Sequence, residues 1–168
     1  MKDAFFTLIN MSAEELNATR LMEKNPALVR LLIDYVLDEN SKFSDTACAI
    51  LSNLSRGKKN SETIYKYFDL NNNNAGLNLE KLLTIFCTEN FNKTNRLDYL
   101  APFICNLTQL EEVRNIILNE NILLLRLLPY TTYVKSTIRR GGIIGAIKNC
   151  CFNYGIPLII FLVFFERF

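Results

Sequence analysis

The stretch that decides the fold reads Ala49-Ile50-Leu51-Ser52-Asn53-Leu54-Ser55, and it has near-copies in three other parts of the chain. The copies read Phe6-Thr7-Leu8-Ile9-Asn10-Met11-Ser12, Pro102-Phe103-Ile104-Cys105-Asn106-Leu107-Thr108 and Gly145-Ala146-Ile147-Lys148-Asn149-Cys150-Cys151. Their asparagines are 43, 53 and 43 residues apart. A recurrence of this length, with the same chemistry in each column, is typical of stacked helical repeats of the armadillo or HEAT kind, whose units take about 40 to 47 residues.

The middle interval is longer than the other two by 10 residues. It contains the polar run Asn71-Asn72-Asn73-Asn74-Ala75-Gly76. Surface loops tolerate insertions, so an insertion in a loop explains the longer interval.

The repeated columns define a buried face when they are placed on a helix, where each residue advances about 100°. Positions six before, two before and one after the asparagine share one side of the helix. The columns predicted to be buried are Ala4, Ala47, Leu100 and Ile143; Leu8, Leu51, Ile104 and Ile147; and Met11, Leu54, Leu107 and Cys150. The asparagines point about 130° away from the middle of this stripe. They are therefore predicted to lie outside the core.

Hydroxyl residues stand two positions after three of the asparagines, at Ser12, Ser55 and Thr108. Such residues are good helix N-caps, because the hydroxyl accepts from the orphan amides of the next helix. Ser12 with Glu15 and Thr108 with Glu111 also fit the capping box. The pattern predicts that a new helix begins after each of these residues.

These signals predict an all-α fold, an armadillo- or HEAT-like right-handed superhelical solenoid of about three three-helix repeats. The repeat domain spans residues 1–152, with a partial repeat at 1–12 and repeats at about 13–55, 56–108 and 109–151. The predicted helices are 13–23, 27–38 and 44–54, then 61–68, 79–89 and 98–107, then 109–118, 121–129 and 138–151. Three helices in each unit favour armadillo over the two-helix alternatives.

The charge balance argues against nucleic acid as the main partner, because the net charge is only +2 over 168 residues and such binding rests on many phosphate contacts. Local basic patches are Arg56, Lys58 and Lys59, and also Lys135, Arg139, Arg140 and Lys148. The first patch is interpreted as solvated loop charge.

The chain has no histidine and no Cys-x-x-Cys motif. We therefore expect no metal site, no cofactor and no catalytic residues of the Ser-His or Cys-His kind. The five cysteines are interpreted as small buried or half-buried hydrophobes in a reducing compartment. Compensation of the helix macrodipole explains the pairs Glu14-Glu15 and Glu111-Glu112, with a carboxylate-based enzyme as the alternative. The glycine cluster at 141–145 lacks the Gly-Lys-Ser/Thr ending of a phosphate loop.

Residues 138–152, which include Arg139-Arg140-Gly141-Gly142 and Cys150-Cys151-Phe152, closely resemble the eukaryotic HGH family of armadillo-like proteins. Residues 47–56 and 100–110 add to the resemblance, which covers about 3–152. It implies a cytosolic, non-enzymatic chaperone adaptor that helps newly made translation elongation factor two to fold, together with the cytosolic chaperonin.

The two ends of the chain depart from this family pattern. The first helix corresponds to the third helix of a repeat, and the sequence diverges after Phe152, so we expect a truncated member. Residues 153–168 form a divergent hydrophobic tail, in which 156–165 are 10 apolar residues. This run is shorter than the roughly 20 residues that a membrane-spanning helix needs. A capping helix or an exposed end is therefore expected rather than a membrane anchor.

The asparagine row is the predicted contact surface for an unfolded or extended peptide, because an amide side chain both donates to and accepts from a peptide backbone. The predicted partner-binding residues are Asn53, Asn106, Asn149, Arg139, Arg140 and Lys148. Alternatively, each asparagine bonds the backbone of an adjacent helix, and the sequence leaves both readings open. A transport adaptor is a rival in the same class, although the flanking aromatics that it would need include no tryptophan here.

Overall fold

The computed structural model describes residues 2–68, 79–119 and 121–152, and within these ranges every regular element is a helix. The α-helices are α1 Lys2–Ser12, α2 Glu15–Lys24, α3 Leu28–Leu37, α4 Ser44–Leu54, α5 Lys58–Tyr65, α6 Leu79–Cys87, α7 Leu100–Leu107, α8 Glu111–Asn119, α9 Asn121–Leu127 and α10 Thr137–Cys151. A 3₁₀ helix, Leu128–Thr132, follows α9 directly. The predicted all-α class is confirmed.

The predicted helix positions agree with this order, with shifts at some ends. The helix predicted at 61–68 begins earlier, at Lys58, and ends at Tyr65. The helix predicted at 121–129 ends as an α-helix at Leu127 and continues as the 3₁₀ helix that contains Pro129, because proline has no amide to continue the α-helical bonding. The predicted insertion at 71–76 and the tail at 153–168 lie outside the described residues.

The four asparagine-bearing helices pack in chain order, with α1 against α4, α4 against α7 and α7 against α10. The predicted apolar column lies in the interfaces, since Leu51, Ile104 and Ile147 are at most 1% exposed. The columns on either side are also buried in α4, α7 and α10. Burial of these side chains is therefore what joins the successive helices.

Helix α1 departs from the predicted face. Ala4 and Met11 are exposed and Leu8 is half-buried, so the prediction that all three are buried is wrong. The buried side of α1 instead carries Phe5, whose ring stacks on Phe43 at 4.8 Å and meets Tyr35 edge-on at 5.4 Å. Phe5 stands in the column of Cys48 and Ala101, which are also buried in α4 and α7, so the aromatic cluster covers this column of α1 and leaves Ala4 and Met11 exposed.

Two glycines allow α10 to pack closely against α7. A Cβ on Gly142 would come within 2.5 Å of the backbone of Ala101 and Pro102, and one on Gly145 would lie 2.6 Å from Cys105 Sγ. A Cβ on Gly141 would meet nothing within 4 Å. The glycine cluster thus serves helix packing at two of its positions. In the described part of the chain, no helix has the length and apolar character needed to cross a membrane.

The first prediction compares two neighbouring glycines. Gly142→Ala should lower the free energy of unfolding by about 1–3 kcal/mol, because the added methyl group meets backbone that cannot move aside. Gly141→Ala is the matched control, and it should raise stability by about 0.5–1 kcal/mol through the higher helix propensity of alanine. Urea denaturation of both variants measures the difference. Equal stabilities would contradict the close α7–α10 contact.

Candidate functional site

The asparagine side chains of α4, α7 and α10 each tie their helix to the preceding asparagine-bearing helix. Each Nδ2 donates to two groups of the preceding asparagine-bearing helix. One is the carbonyl of the residue just before the asparagine of that helix, and the other is the hydroxyl two residues after that asparagine. The bonds are Asn53 to Ile9 O (3.2 Å) and Ser12 Oγ (3.2 Å), Asn106 to Ser52 O (2.8 Å) and Ser55 Oγ (3.0 Å), and Asn149 to Cys105 O (3.3 Å) and Thr108 Oγ1 (3.0 Å). We call this set of bonds the asparagine ladder.

The hydroxyls of the ladder have a different role from the predicted one. Ser12, Ser55 and Thr108 each donate to the carbonyl three residues earlier, at the end of their own helix. The residue before α2 is Glu14 and the residue before α5 is Gly57, and neither helix has a side-chain cap bond. The prediction that Ser12 and Ser55 are N-caps is therefore wrong, because these hydroxyls accept from the ladder asparagines instead.

The carboxamide oxygens distinguish the three ladder positions. Asn53 Oδ1 accepts from Arg56 Nη2 at 2.8 Å. For Asn106 and Asn149, the described residues supply no donor to Oδ1. All three side chains are half-buried, whereas Asn10 is exposed. The amide donors are thus used within the fold, and two acceptor oxygens remain at its surface.

Two side chains that stand three positions after an asparagine also bond to the preceding copy of the pattern, at the residue in the same position. Arg56 Nη1 donates to Ala13 O at 2.8 Å, and Gln109 Nε2 donates to Arg56 O at 3.1 Å. Arg56 was predicted only as part of a solvated patch, and no role was predicted for Gln109. Both residues stand three positions after a repeated asparagine, Asn53 or Asn106, and this shared spacing is the sequence signal that could have identified them. Phe152 stands at this offset in the last copy and is 72% exposed.

The basic residues of α10 lie in different environments. Arg139 is only 9% exposed, and its guanidinium lies 4.3 Å from the Phe86 ring centroid and 4.8 Å from that of Tyr130. Arg140 is half-buried and donates to Tyr133 O at 3.4 Å, whereas Lys148 is exposed. The structure therefore separates the three predicted contact residues and places Arg139 in the interior. Their role in partner binding remains a prediction.

A cleft of about 420 Å³ lies between the segment after α6 and the start of α10. Its lining includes Glu89, Arg96, Leu97, Tyr133, Lys135 and Arg139. This cleft was not predicted from the sequence, because its walls come from segments about 40 residues apart and carry no motif.

Two polar side chains hold one wall of the cleft in place. Buried Asn92 donates to Ser41 O at 2.8 Å and accepts from the Asn95 amide at 2.8 Å. Asp45 accepts from the Leu97 amide at 2.6 Å, and Leu97 has a φ of 55°. Such a φ is uncommon for a branched residue. The loop is thus fixed by α4 and the turn before it.

Burial raises the pKa of all five thiols. The pKa of Cys150 is raised to about 12, and that of fully buried Cys48 lies well above its ordinary value. Cys87, Cys105 and Cys151 are shifted in the same direction by the same cause. These groups are therefore thiols rather than thiolates at neutral pH, and all five cysteines are free. Over residues 2–68, 79–119 and 121–152, three or more potential ligands nowhere come together to hold a metal ion.

The ladder geometry generates a second prediction. Asn106→Ala removes the donor to Ser52 O and Ser55 Oγ, and should lower the free energy of unfolding by about 1–3 kcal/mol. Asn10→Ala is the matched control, because it removes an exposed asparagine from the same column and should change stability by less than about 0.5 kcal/mol. Thermal and urea unfolding of both variants measure the effect. An unchanged Asn106→Ala variant would mean that the ladder bonds contribute nothing to stability.

Over its described residues the protein is thus of the all-α class, and side-chain amides join its corresponding helices. A family model described as "Domain of unknown function (DUF383)" matches residues 35–156. The chain is 45% identical to "Protein HGH1 homolog" of Danio rerio, over 92% of this chain and 40% of that protein. The proteins of that name from Xenopus laevis and Homo sapiens are 37% and 33% identical, each over 91% of this chain and over 41% and 39% of their own lengths.

These matches confirm the family that the sequence pattern indicated. The chain belongs to the HGH1 family. It spans about 40% of the length of these curated relatives.

Proposed function

We infer that this chain is a non-enzymatic, protein-binding adaptor of the chaperone type, built as an armadillo-like solenoid. The serial packing of α1, α4, α7 and α10 supports this architecture, because neighbour-to-neighbour contact is the defining property of a solenoid. Extended arrays of this kind present corresponding side chains along one surface, which suits the binding of a protein segment.

The observation that carries the proposal is the pair of unpaired ladder oxygens. Asn106 and Asn149 use their amide donors within the fold, while Oδ1 of each has no donor among the described residues. A carboxamide oxygen accepts from a peptide N–H of any sequence. A row of such acceptors suits an extended or unfolded segment, whose backbone amides lack partners. Exposed Lys148, next to Asn149, adds a positive charge to this surface.

The proposed client comes from the family resemblance. It is translation elongation factor two in an unfolded or newly made form, with the cytosolic chaperonin as the cooperating machine and the cytosol as the location. The chain covers about 40% of the length of the curated relatives. The client and the cooperating machine are therefore proposals for this chain.

A capture experiment tests the proposed function. The tagged chain is mixed with translation elongation factor two diluted from guanidinium chloride, and the retained client and its light scattering are measured. We expect retention of the factor, lower scattering, and weaker retention of its native form. An unrelated unfolded protein of similar size is the control for client choice. Failure to retain the unfolded factor would contradict the proposed function. Equal retention of the unrelated protein would agree with sequence-independent contact at the ladder oxygens but would contradict a preference for this client.

A matched pair of charge variants tests the proposed surface in the same assay. Lys148→Gln should weaken retention by up to about fivefold, the effect of one exposed charge contact. Lys58→Gln removes an exposed lysine of α5 and should leave retention unchanged. Equal retention by the two variants would place the binding surface away from Asn149.

A further inference from the structure

The cleft beside α10 contains a buried cation that has no carboxylate partner. Arg139 donates to the carbonyls of Phe86 and Arg96, and the second of these bonds is long, at 3.4 Å. Its Nε is buried and has no hydrogen-bond partner in the described part of the chain. No described carboxylate forms an ion pair with it. A buried charge compensated only by carbonyls and aromatic rings is costly, so an added anion would be favourable.

The other charged groups of the cleft leave room for such an anion. Arg96 already pairs with Asp98 at 3.6 Å. Lys135 is exposed, and its Nζ forms neither a hydrogen bond nor an ion pair with the described residues. Glu89, which is exposed, is the one carboxylate among the residues lining this cleft. Lys135 and Arg139 thus outweigh Glu89, and the local charge is positive.

The size and lining of the cleft indicate the kind of anion. Its volume of about 420 Å³ lies within the range of ligand pockets. The half-buried Tyr133 ring provides apolar surface beside the two cations. The wall is fixed in advance by Asn92 and Asp45, so little ordering is needed on binding.

We propose that this cleft binds an acidic peptide segment, with one carboxylate at Lys135 and Arg139 and a neighbouring apolar side chain against Tyr133. A phosphate group would need several converging donors. Here both Nη atoms of Arg139 already donate to carbonyls, which leaves Lys135 Nζ and Arg139 Nε as the donors without a partner and suits a single carboxylate. The inference rests on the proposed function only in that the ligand is a protein segment. It assigns a second contact surface, separate from the asparagine ladder.

Fluorescence anisotropy with the full chain tests the inference. The probe is a fluorescein-labelled, amidated peptide, Gly-Ser-Glu-Phe-Glu-Ser-Gly, and its counterpart has glutamine in place of both glutamates. We expect the acidic probe to bind at least about fivefold more tightly than its counterpart, and Lys135→Gln to weaken it by about fivefold, the effect of one charge contact. Lys58→Gln, outside the cleft, is the matched control and should not change binding. Circular dichroism confirms that the variants are folded.

The possible results separate this inference from the proposed function. Equal binding of the two probes, or an unchanged Lys135→Gln variant, would overturn the acidic-peptide site even if unfolded elongation factor two is retained. Displacement of the probe by millimolar inorganic phosphate, without displacement by equal acetate, would also overturn it in favour of a phosphate site. Specific binding of the acidic probe would support the cleft even if the client assay fails.

Discussion

The asparagine ladder is the constraint on which the arrangement of the helices depends. The last carbonyls of a helix have no backbone donor within that helix, and Ile9, Ser52 and Cys105 supply such carbonyls in α1, α4 and α7. In each case the asparagine of the next corresponding helix donates to the carbonyl and also to the nearby hydroxyl. A shift of one residue between two helices would break both bonds. The apolar columns therefore hold the helices together, and the ladder fixes their relative position.

The close contact between α7 and α10 has consequences at the other end of α10. Gly142 and Gly145 let the two backbones approach, and this position brings Arg139 over the rings of Phe86 and Tyr130. The buried guanidinium in turn donates to the ends of neighbouring segments at Phe86 and Arg96. Packing permitted by small residues thus places a charged group in the interior, where it becomes part of the wall of the cleft.

Helix α10 consequently carries both candidate surfaces. Arg139 lies in its first turns and Asn149 in its last turn, about 15 Å apart at 1.5 Å per residue. A protein segment that contacted both would run along this helix, from a positively charged cleft to a row of acceptor oxygens. The ladder surface would accept backbone amides of any sequence, whereas the cleft would select for an acidic side chain. The two contacts differ in chemistry and can be tested separately.

The sequence by itself determined the helices, the buried columns of α4, α7 and α10, and the family. These features depend on local periodicity and on residues within one short stretch, so they can be read without knowledge of the packing. It also identified the asparagine column but left its role open, because direction on a helix does not reveal what lies opposite. Ser12 and Ser55 were assigned to the wrong helix end for this reason. A hydroxyl between two helices can bond to the end of the first or to the start of the second, and here its bond with the ladder asparagine keeps it at the end of the first.

Only the tertiary structure decided the rest. In α1, an aromatic cluster with Phe43 and Tyr35, both far from Phe5 in sequence, covers Phe5, while Ala4 and Met11 remain exposed. Arg139 looked like a surface charge because arginines usually are, yet rings and carbonyls from other segments enclose it. The cleft depends on Asn92 and Asp45, which bond segments that local sequence does not connect. Most of these contacts join residues that are far apart in sequence, and short-range sequence patterns carry no information about such contacts.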